Sequence, residues 1–259
     1  MTNRAARAAG RIARALSRRF GVDLVRYEPP CGLSQEAFLA FCRDHLAESS
    51  SQWLQDLFVR FILEDKREGF FVEFGATDGV SLSNALSLER RLGWRGILAE
   101  PGRCWREVLR RNRRAILDER CVWSDTGSRV LFNETPEGAF STVDAYSSRD
   151  SHAERRRGGS RYEVETVSLN DLLACYDAPN ELDYLSVDTE GSELPILRAF
   201  DFERYRVDVL TIEHNYSPER GALESFIEGK GFVLLFRSLS LQDSWFVRRE
   251  ALERRVGGR

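Results

Sequence analysis

The stretch Phe70-Phe-Val-Glu-Phe-Gly-Ala-Thr-Asp-Gly79 decides the fold, together with Gly96-Ile-Leu-Ala-Glu-Pro101 farther along the chain. Each begins with a short apolar run, which predicts a buried strand. The first run ends in Gly75 and precedes a helix-like segment from Ser81 to Leu92, so the backbone can turn tightly and approach a ligand. The second run ends in Glu100, whose carboxylate can accept hydrogen bonds from both hydroxyls of a ribose. Together they predict the nucleotide-binding end of a βαβ unit and an adenosyl ligand.

The turn after the first strand is acidic, since Glu73 and Asp78 flank Gly75. It matches neither the G-x-G-x-x-G pattern of dinucleotide sites nor the G-x-x-x-x-G-K-[ST] pattern of phosphate-binding loops. Carboxylates at this place would repel a pyrophosphate and attract a cationic amino-acid group. The residues therefore favour S-adenosylmethionine over NAD or ATP.

Composition excludes several classes of protein. The chain has 259 residues, a net charge of −3 and a pI near 5.8, which indicates one globular domain with additions and no general affinity for nucleic acid. Its three histidines exclude a histidine-rich metal cluster, and its five cysteines lack a C-x-x-C pair, which favours reduced thiols over disulfides or a zinc site. No apolar run reaches the roughly 18 residues of a membrane span, and no signal peptide is visible. We expect a cytoplasmic protein.

The chain divides into an N-terminal helical extension, residues 1–64, and a main domain, residues 65–259. Residues 1–20 predict a helix with Arg7, Arg11, Arg14 and Arg18 on one face, which suits either weak contact with an anionic membrane surface or a solvated terminal helix. Pro29-Pro-Cys-Gly32 breaks the chain. A second helical region, from Ser34 to Glu64, is expected to pack on the main sheet or to cover its cofactor end.

The main domain alternates strands and helices, which predicts an α/β fold with a mostly parallel sheet. The predicted strands are Phe70 to Phe74, Gly96 to Ala99, Ala115 to Trp123, Tyr184 to Val187, Val207 to Glu213, Phe232 to Arg237 and Ser244 to Arg248. Between Ser128 and Leu169 the pattern changes, and strand-like Val130–Phe132 and Tyr162–Val167 flank a charged segment, Ser147 to Arg161. We expect this segment to be an insertion or mobile loop on the substrate side, because so many charges are costly to bury.

A second motif, Leu182-Asp-Tyr-Leu-Ser-Val-Asp-Thr-Glu-Gly-Ser-Glu193, places carboxylates at a strand end. Asp188 follows the apolar strand, Glu190 lies in the turn, and Ser192 is expected to cap a helix that begins near Glu193. The carboxyl ends of parallel strands meet at one edge, so both carboxylates should face the same crevice as the glycine turn. At the next strand end, Glu213 and His214 should point to opposite faces, so at most one lines the crevice.

The sequence resembles the FkbM family of S-adenosylmethionine-dependent methyltransferases in an ordered set of motifs between about residues 68 and 249. They are Val72-Glu-Phe-Gly-Ala-Thr-Asp-Gly79, Ser83-Asn84, Leu88-Glu89, Gly93-Trp-Arg-Gly96, Glu100-Pro101, Ser124-Asp125 with Gly127, Thr166-Val-Ser-Leu169 and Val187-Asp-Thr-Glu-Gly-Ser-Glu193. The resemblance implies a Rossmann-like class I methyltransferase fold, with a seven-stranded, mostly parallel sheet and a reversed final strand. It also implies methylation of oxygen, often in hydroxyls of sugars, glycans or natural products.

The resemblance further implies site residues. The cofactor turn would contain Glu73, Gly75, Ala76, Asp78 and Gly79, with Glu73 and Asp78 near the methionine end of S-adenosylmethionine. Glu100, followed by Pro101, would hold the ribose, and Ser124 with Asp125 would lie beside the adenine. Two other interpretations stay open: Glu73 could pair structurally with an arginine, and Asp125 could simply build a turn.

Methyl transfer to a hydroxyl requires a base or a metal ion. We predict Asp188, His214 and Glu190 as catalytic residues: His214 could accept the hydroxyl proton at neutral pH, and Asp188 could orient it or the substrate. We assign no metal, although Asp188, Glu190 and Glu213 could hold a divalent cation. The acceptor is expected to be a small molecule or a glycan. Arg155 to Arg157 could meet phosphate or carboxylate groups on a nucleotide-linked sugar, a lipid-linked glycan or an acidic polymer, or form a solvated loop.

Two other classes of function stay open. The chain could be a catalytically silent Rossmann-like module that binds a glycan or a partner, although it retains the cofactor residues. It could also be an NAD-dependent sugar-modifying enzyme, which its acidic turn disfavours.

Overall fold

The computed structural model describes residues 33–149 and 152–257. The predicted helix over residues 1–20, the break at residues 29–32 and the thiol of Cys31 lie outside the described residues. The other four cysteines are free thiols, as expected.

The described chain forms two sheets. Their strands are β1 Phe70–Phe74, β2 Arg95–Ala99, β3 Ile116–Asp118, β4 Cys121–Trp123, β5 Arg129–Glu134, β6 Thr142–Val143, β7 Ser160–Ser168, β8 Glu181–Val187, β9 Arg206–Glu213, β10 Phe232–Leu235 and β11 Asp243–Arg248. The large sheet has seven strands in the order β10-β11-β9-β8-β1-β2-β3, and β11 runs antiparallel to both of its neighbours. The expected Rossmann-like, mostly parallel seven-stranded sheet with a reversed final strand is confirmed.

Helices cover both faces of the large sheet. The helices of the described chain are α1 Gln35–His45, α2 Gln55–Ile62, α3 Leu86–Leu92, α4 Arg106–Asn112, α5 Ala153–Arg156 in the insertion, α6 Leu169–Cys175, α7 Glu193–Ala199, α8 Arg220–Gly229 and α9 Arg249–Gly257, with 3₁₀ turns at Leu46–Glu48 and Asp144–Tyr146. Side chains alternate along each strand, so Phe71 packs under α1, α2 and α3, while Val72 packs against α6, α7 and α8. The carboxyl edge of the parallel strands is left open between these layers.

The helices α1 and α2 share the core of the large sheet. Ser34 caps α1 by accepting a hydrogen bond from the backbone amide of Ala37 at 3.1 Å. Phe38 stacks on Phe236, with ring centroids 5.0 Å apart, and Phe58 stacks on Trp245 at 4.9 Å. The Ser34–Glu64 region therefore packs on the sheet as expected. The domain boundary at residue 64 stays a prediction.

Several predicted elements have slightly different bounds, such as the strand predicted from Phe232 to Arg237, which ends at Leu235, and two differ more strongly. The helix predicted from Ser81 begins only at Leu86, because Leu82 adopts a left-handed backbone and the next two residues bind Glu73. The strand predicted from Ala115 to Trp123 is two strands: Asp118 accepts hydrogen bonds from the amide and guanidinium of Arg120, and the chain turns there. The second half, β4, leaves the large sheet and pairs with β7.

The insertion between residues 128 and 169 forms the smaller sheet together with β4, in the order β4-β7-β5-β6. It lies over the carboxyl edge of the large sheet, where Thr142 donates from its hydroxyl to the backbone oxygen of Glu190 at 3.0 Å. Among the described residues, none of the helices combines the length and the apolar composition that crossing a bilayer requires.

Candidate active site

A cavity of about 400 Å³ lies at the carboxyl edge of the large sheet, under the smaller sheet. Its walls come from the turn after β1, the ends of β2, β8 and β9, the start of β11, and the loop before α2. The smaller sheet closes it from above with Phe132, Phe140 and Val143. The cavity thus lies where open α/β sheets bind ligands.

Gly75 lies at the floor of this cavity in a left-handed conformation, with φ of +71°. Its amide donates to the carbonyl of Ala99 at 3.1 Å, and a Cβ atom there would lie 2.3 Å from the backbone oxygen of Asp188. Only glycine allows β1 and β8 to approach this closely. Gly79 also has a positive φ, but like the buried Ala76 it packs away from the cavity, in its case against helix α4.

Glu100 ends β2 with its carboxylate at the cavity wall, next to Pro101. One carboxylate oxygen accepts from the amide of Thr77 at 2.9 Å, and the other accepts from the amide of Gly102 at 2.7 Å. Burial raises the pKa of Glu100 to about 7. Each oxygen keeps a second lone pair, so the carboxylate can still accept from a ligand hydroxyl.

Glu73 and Asp78 line the cavity, but their carboxylates already have partners. Glu73 accepts from the amide of Asn84 at 2.6 Å and from the hydroxyl of Ser83, and Arg113 lies 3.5 Å away. Asp78 accepts from the amides of Val80 and Ser81 and from the Ser81 hydroxyl. Burial raises the pKa of Glu73 despite this arginine. The cofactor contacts predicted for both residues stay predictions.

Ser124 and Asp125 do not contribute to the described lining of the cavity. They follow β4, where the chain leaves the large sheet, and exposed Asp125 lies 3.4 Å from the hydroxyl of Thr166. The cavity is lined here by Cys121 and Val122 instead. The predicted position beside the adenine is therefore not supported by the fold, and Asp125 belongs to a surface turn.

Three carboxylates meet at the ends of β8 and β9. Asp188, Glu190 and Glu213 each place an oxygen within 4.8 Å of the others, which is the group that sequence analysis considered for a divalent cation. The side-chain amide nitrogen of Asn215 donates to Glu213 at 2.8 Å and to Glu190 at 3.0 Å. The negative charge of the three carboxylates can therefore be compensated by shared protons and hydrogen-bond donors, or by a bound cation.

Asp188 and Glu213 form a coupled acid pair. Both are partly exposed and face the cavity, and each lies close enough to interact with the other's carboxyl group. Desolvation, with the neighbouring negative charges, raises the pKa of Asp188 to about 7 and that of Glu213 well above its usual range. Such a pair holds one proton between two carboxylates near neutral pH.

Glu213 lines this cavity and His214 does not, which agrees with the expectation that at most one of them lines the crevice, but both line a second, smaller cavity. Its Nδ1 accepts from the amide of Tyr216 at 3.0 Å, and burial lowers the pKa of the ring to about 4. With Nδ1 engaged, the neutral ring carries its proton on Nε2 and has no free lone pair for a substrate proton. The catalytic role predicted for His214 stays a prediction, because the ring lines a second, smaller cavity but its Nδ1 is already engaged.

Ser192 does not cap α7 with its side chain; its hydroxyl donates to the hydroxyl of Thr189 at 2.8 Å. The carboxylate of Glu193 holds the turn instead, accepting from the amides of Thr189 and Gly191. Glu190 adopts a left-handed backbone in this turn, with φ of 58°. The turn is thus fixed from within, with Asp188 and Glu190 on the cavity side.

The charged segment Ser147 to Arg161 was expected to keep its charges in solvent, and Arg156 departs from this expectation. The exposed side chains of Arg155 and Arg157 agree with a solvated surface, but Arg156 is 0% exposed. Its Nη2 donates to Glu190 at 2.7 Å and its Nε donates to the carbonyl of Phe140 at 2.8 Å. The arginine therefore joins the smaller sheet to the acidic cluster.

Replacing Arg156 with methionine should destabilise the protein by about 3–5 kcal/mol, because it leaves Glu190 buried without this counter-charge. Arg155→Met is the matched control: that side chain is 54% exposed, and its loss should cost less than about 1 kcal/mol. Urea unfolding at neutral pH measures both values. Equal losses in the two variants would show that the Arg156–Glu190 pair does not hold the smaller sheet in place.

Sequence reasoning missed several cavity residues from distant segments. They are Gln52, Gln55, Trp105, Phe140, His152, Asn215, Gln242 and Asp243. Asp243 had a detectable signal, since it is a carboxylate directly before the predicted strand Ser244 to Arg248, which in the structure pairs with the strand that ends in Glu213. The positions of Gln55 and Phe140 depend on how the N-terminal helices and the insertion fold over the sheet, which no local pattern reveals.

Comparison with known proteins gives consistent matches. The family model described as "Methyltransferase FkbM domain" matches residues 73–234. Methyltransferase sdnD of Sordaria araneosa is 27% identical over 115 residues, which cover 41% of this chain and 44% of that protein. The chain thus matches less than half the length of this curated relative.

Two solved structures are also similar. An O-methyltransferase from Bacillus cereus in complex with SAH has 14% identity and a TM-score of 0.40, with 90% of this chain and 95% of that chain covered. The precorrin-6y C5,15-methyltransferase of Geobacter metallireducens GS-15 has 12% identity and a TM-score of 0.38, with 74% and 85% covered.

Proposed function

Because the chain belongs to the FkbM methyltransferase domain family, we propose that it transfers the methyl group of S-adenosylmethionine to a hydroxyl of a sugar, a glycan or another natural product. The observation that carries this proposal is the acid pair Asp188–Glu213, which lies in the same cavity as the Gly75 turn and Glu100. The cavity combines a place for an adenosyl ligand with groups that can accept a proton.

The residues fit S-adenosylmethionine at both ends. Gly75 lets a ligand approach the backbone, and Glu100 would accept from the ribose hydroxyls. The wall beyond Glu100, with Trp105, Val122 and Phe140, suits an aromatic base. Opposite it, the carboxylates suit the positive charges of the sulfonium and ammonium groups. When bound, S-adenosylmethionine supplies an electrophilic methyl group.

A second cavity of about 260 Å³ offers space for the acceptor. It borders the first cavity at Glu213 and Asn215, which line both, and it is also lined by Tyr146, Arg149 and Ser217. A two-substrate reaction needs two spaces that meet at the reacting atoms. Glu213 of the acid pair lies in the shared wall, and Asp188 lines the first cavity beside it.

In the proposed reaction, the acceptor hydroxyl would lose its proton to the Asp188–Glu213 pair as its oxygen bonds to the methyl carbon; the bond from that carbon to sulfur would break, with its electron pair left on the sulfur of S-adenosylhomocysteine. Asn215 orients Glu213 by donating to its carboxylate. The accepted proton then leaves to solvent, which restores the singly protonated pair. We assign the base to this pair because Asp188 and Glu213 face the larger cavity, whereas the Nδ1 of His214 already accepts a hydrogen bond from the amide of Tyr216.

The pH dependence of the reaction follows from the raised pKa of Asp188, which is about 7. Below this pH both carboxyl groups of the pair are protonated, so the pair cannot accept the hydroxyl proton. We expect kcat to rise as the pH increases through about 7 and then to level off. Initial rates between about pH 5.5 and 9 check this; a rate that falls over the same interval would contradict the assignment.

Incubation with radiolabelled S-adenosylmethionine and a panel of hydroxylated acceptors tests the function. We expect label to enter an acceptor with wild-type protein and not with Asp188→Asn. Adding EDTA and then Mg²⁺ tests the alternative of a cation on Asp188, Glu190 and Glu213. Wild-type protein that binds S-adenosylmethionine but labels no hydroxylated acceptor would count against O-methylation.

A further inference from the structure

The floor of the larger cavity carries a row of acids across three neighbouring strands. Glu213 on β9 is the register partner of Asp243 on β11, and Asp188 extends β8 beside Glu213. Because these residues share one face of the sheet, their side chains line the same cavity. Two small polar residues, Ser186 and Thr211, lie in the preceding row on that face.

Asp243 is 4% exposed and is held in one orientation. The side-chain amide of Gln55 donates to its Oδ2 at 2.7 Å, and the Gln55 carbonyl oxygen accepts from the amide of Trp53 at 2.9 Å. Burial raises the pKa of Asp243 to about 6. Gln55 fixes one carboxylate oxygen and adds no positive charge.

Asn84 lies against the same floor and is 8% exposed. Its amide nitrogen donates to the hydroxyl of Ser186 at 3.0 Å, whereas its Oδ1 is buried and has no hydrogen-bond partner in the described part of the chain. An unpaired buried acceptor is costly, which points to a ligand that donates there. Asn84 and the acid row thus offer acceptors to the same space.

The acids closer to the glycine turn are already neutralised or engaged. Glu73 lies beside the guanidinium of Arg113 and accepts three hydrogen bonds, and Asp78 accepts hydrogen bonds from the backbone of the turn in which it lies. Arg156 binds Glu190, beside the row. The carboxylates of the row are therefore those best placed to receive a positive charge from a ligand.

We propose that this floor binds a protonated amine, with Asp243 as its charged partner and the Oδ1 of Asn84 as a second acceptor for the same ligand. The amine is either the α-ammonium of S-adenosylmethionine, a source that rests on the proposed function, or an amino group of the methyl acceptor. Asp243 and Gln55 both lie outside residues 73–234, so the segments flanking the family match complete the site.

Calorimetry with two adenosine ligands separates the sources. S-adenosylhomocysteine carries the ammonium group, and 5′-methylthioadenosine lacks the amino-acid end. If the cofactor supplies the amine, Asp243→Asn should weaken S-adenosylhomocysteine binding by about 10- to 100-fold and leave methylthioadenosine binding unchanged. Asn84→Leu should act in the same direction. Unchanged methylthioadenosine binding also shows that each variant folds.

Glu181→Gln is the matched control, because this carboxylate is exposed at the opposite edge of the sheet. If Asp243→Asn does not alter S-adenosylhomocysteine binding, the next test is whether the amine belongs to the acceptor. Binding of glucosamine, which carries an amino group, is then compared with binding of glucose, which carries a hydroxyl in its place. Binding of glucosamine alone, lost in Asp243→Asn, would assign the amine to the acceptor. No effect on either ligand overturns the proposal. Wild-type protein that binds neither adenosine ligand contradicts the proposed function, and the glucosamine result then decides this inference.

Discussion

Replacing Asp188 with asparagine is expected to lower kcat by about 10²- to 10⁴-fold, while S-adenosylmethionine binding changes little. The amide keeps the shape of the side chain but cannot accept the hydroxyl proton. It also removes one member of the coupled pair, so Glu213 alone cannot hold a shared proton at the junction of the two cavities. Rates and binding are measured separately, with Glu181→Gln as the control.

The same variant should be more stable than wild type at pH 8. An aspartate in the unfolded chain has a pKa near 3.9, whereas burial raises that of Asp188 to about 7. The folded state thus binds this proton more tightly, and its stabilising contribution is complete below about pH 4 and is lost as the pH rises through about 7. We expect a gain on the order of 1–4 kcal/mol for Asp188→Asn at pH 8, which vanishes near pH 4.

Full activity in Asp188→Asn would contradict the assignment of the base. Lower stability at pH 8 would show that Asp188 is held there as a well-paired anion. Loss of activity together with a gain in stability is the result that a functional acid pair predicts, since such groups are kept at a cost to the fold.

Gly75→Ala is expected to destabilise the protein by about 2–4 kcal/mol and to abolish S-adenosylmethionine binding. The new Cβ would lie 2.3 Å from the backbone oxygen of Asp188, so β1 and β8 must separate at the centre of the cavity. The positive φ adds strain for any residue with a side chain. Both effects act where the cofactor turn meets the acid pair.

Gly93→Ala separates the two effects. Gly93 has φ of +72°, nearly equal to the +71° of Gly75, but a Cβ there meets nothing within 4 Å. Its replacement should cost only about 1 kcal/mol and leave binding intact. Thermal unfolding and calorimetry of both variants decide the matter. If the two variants behave alike, the close approach of β1 to β8 is not what Gly75 provides.

The sequence predicts the parts of the site that follow directly from buried strands. The apolar runs before Gly75, Glu100, Asp188 and Glu213 identify four neighbouring strands, and the carboxyl ends of parallel strands must meet. The structure brings these four residues to one cavity. Their roles in binding and catalysis stay predictions.

Other features depend on tertiary contacts that no local pattern encodes. In the sequence, Arg156 is indistinguishable from its exposed neighbours Arg155 and Arg157. Only the folding of the smaller sheet brings its side chain to Glu190. Ser124 and Asp125 leave the cavity because β4 pairs with β7 and not with β3. Gln55 reaches Asp243 across most of the chain length, because α2 packs under the last strand.

Calorimetric titration of the folded protein with S-adenosylmethionine tests the central claim most directly. We predict one site with micromolar affinity, and at least about tenfold weaker binding in Glu100→Ala. Glu107→Ala is the control, because its side chain is 82% exposed. If folded wild-type protein binds no S-adenosylmethionine, the proposed methyl transfer is contradicted.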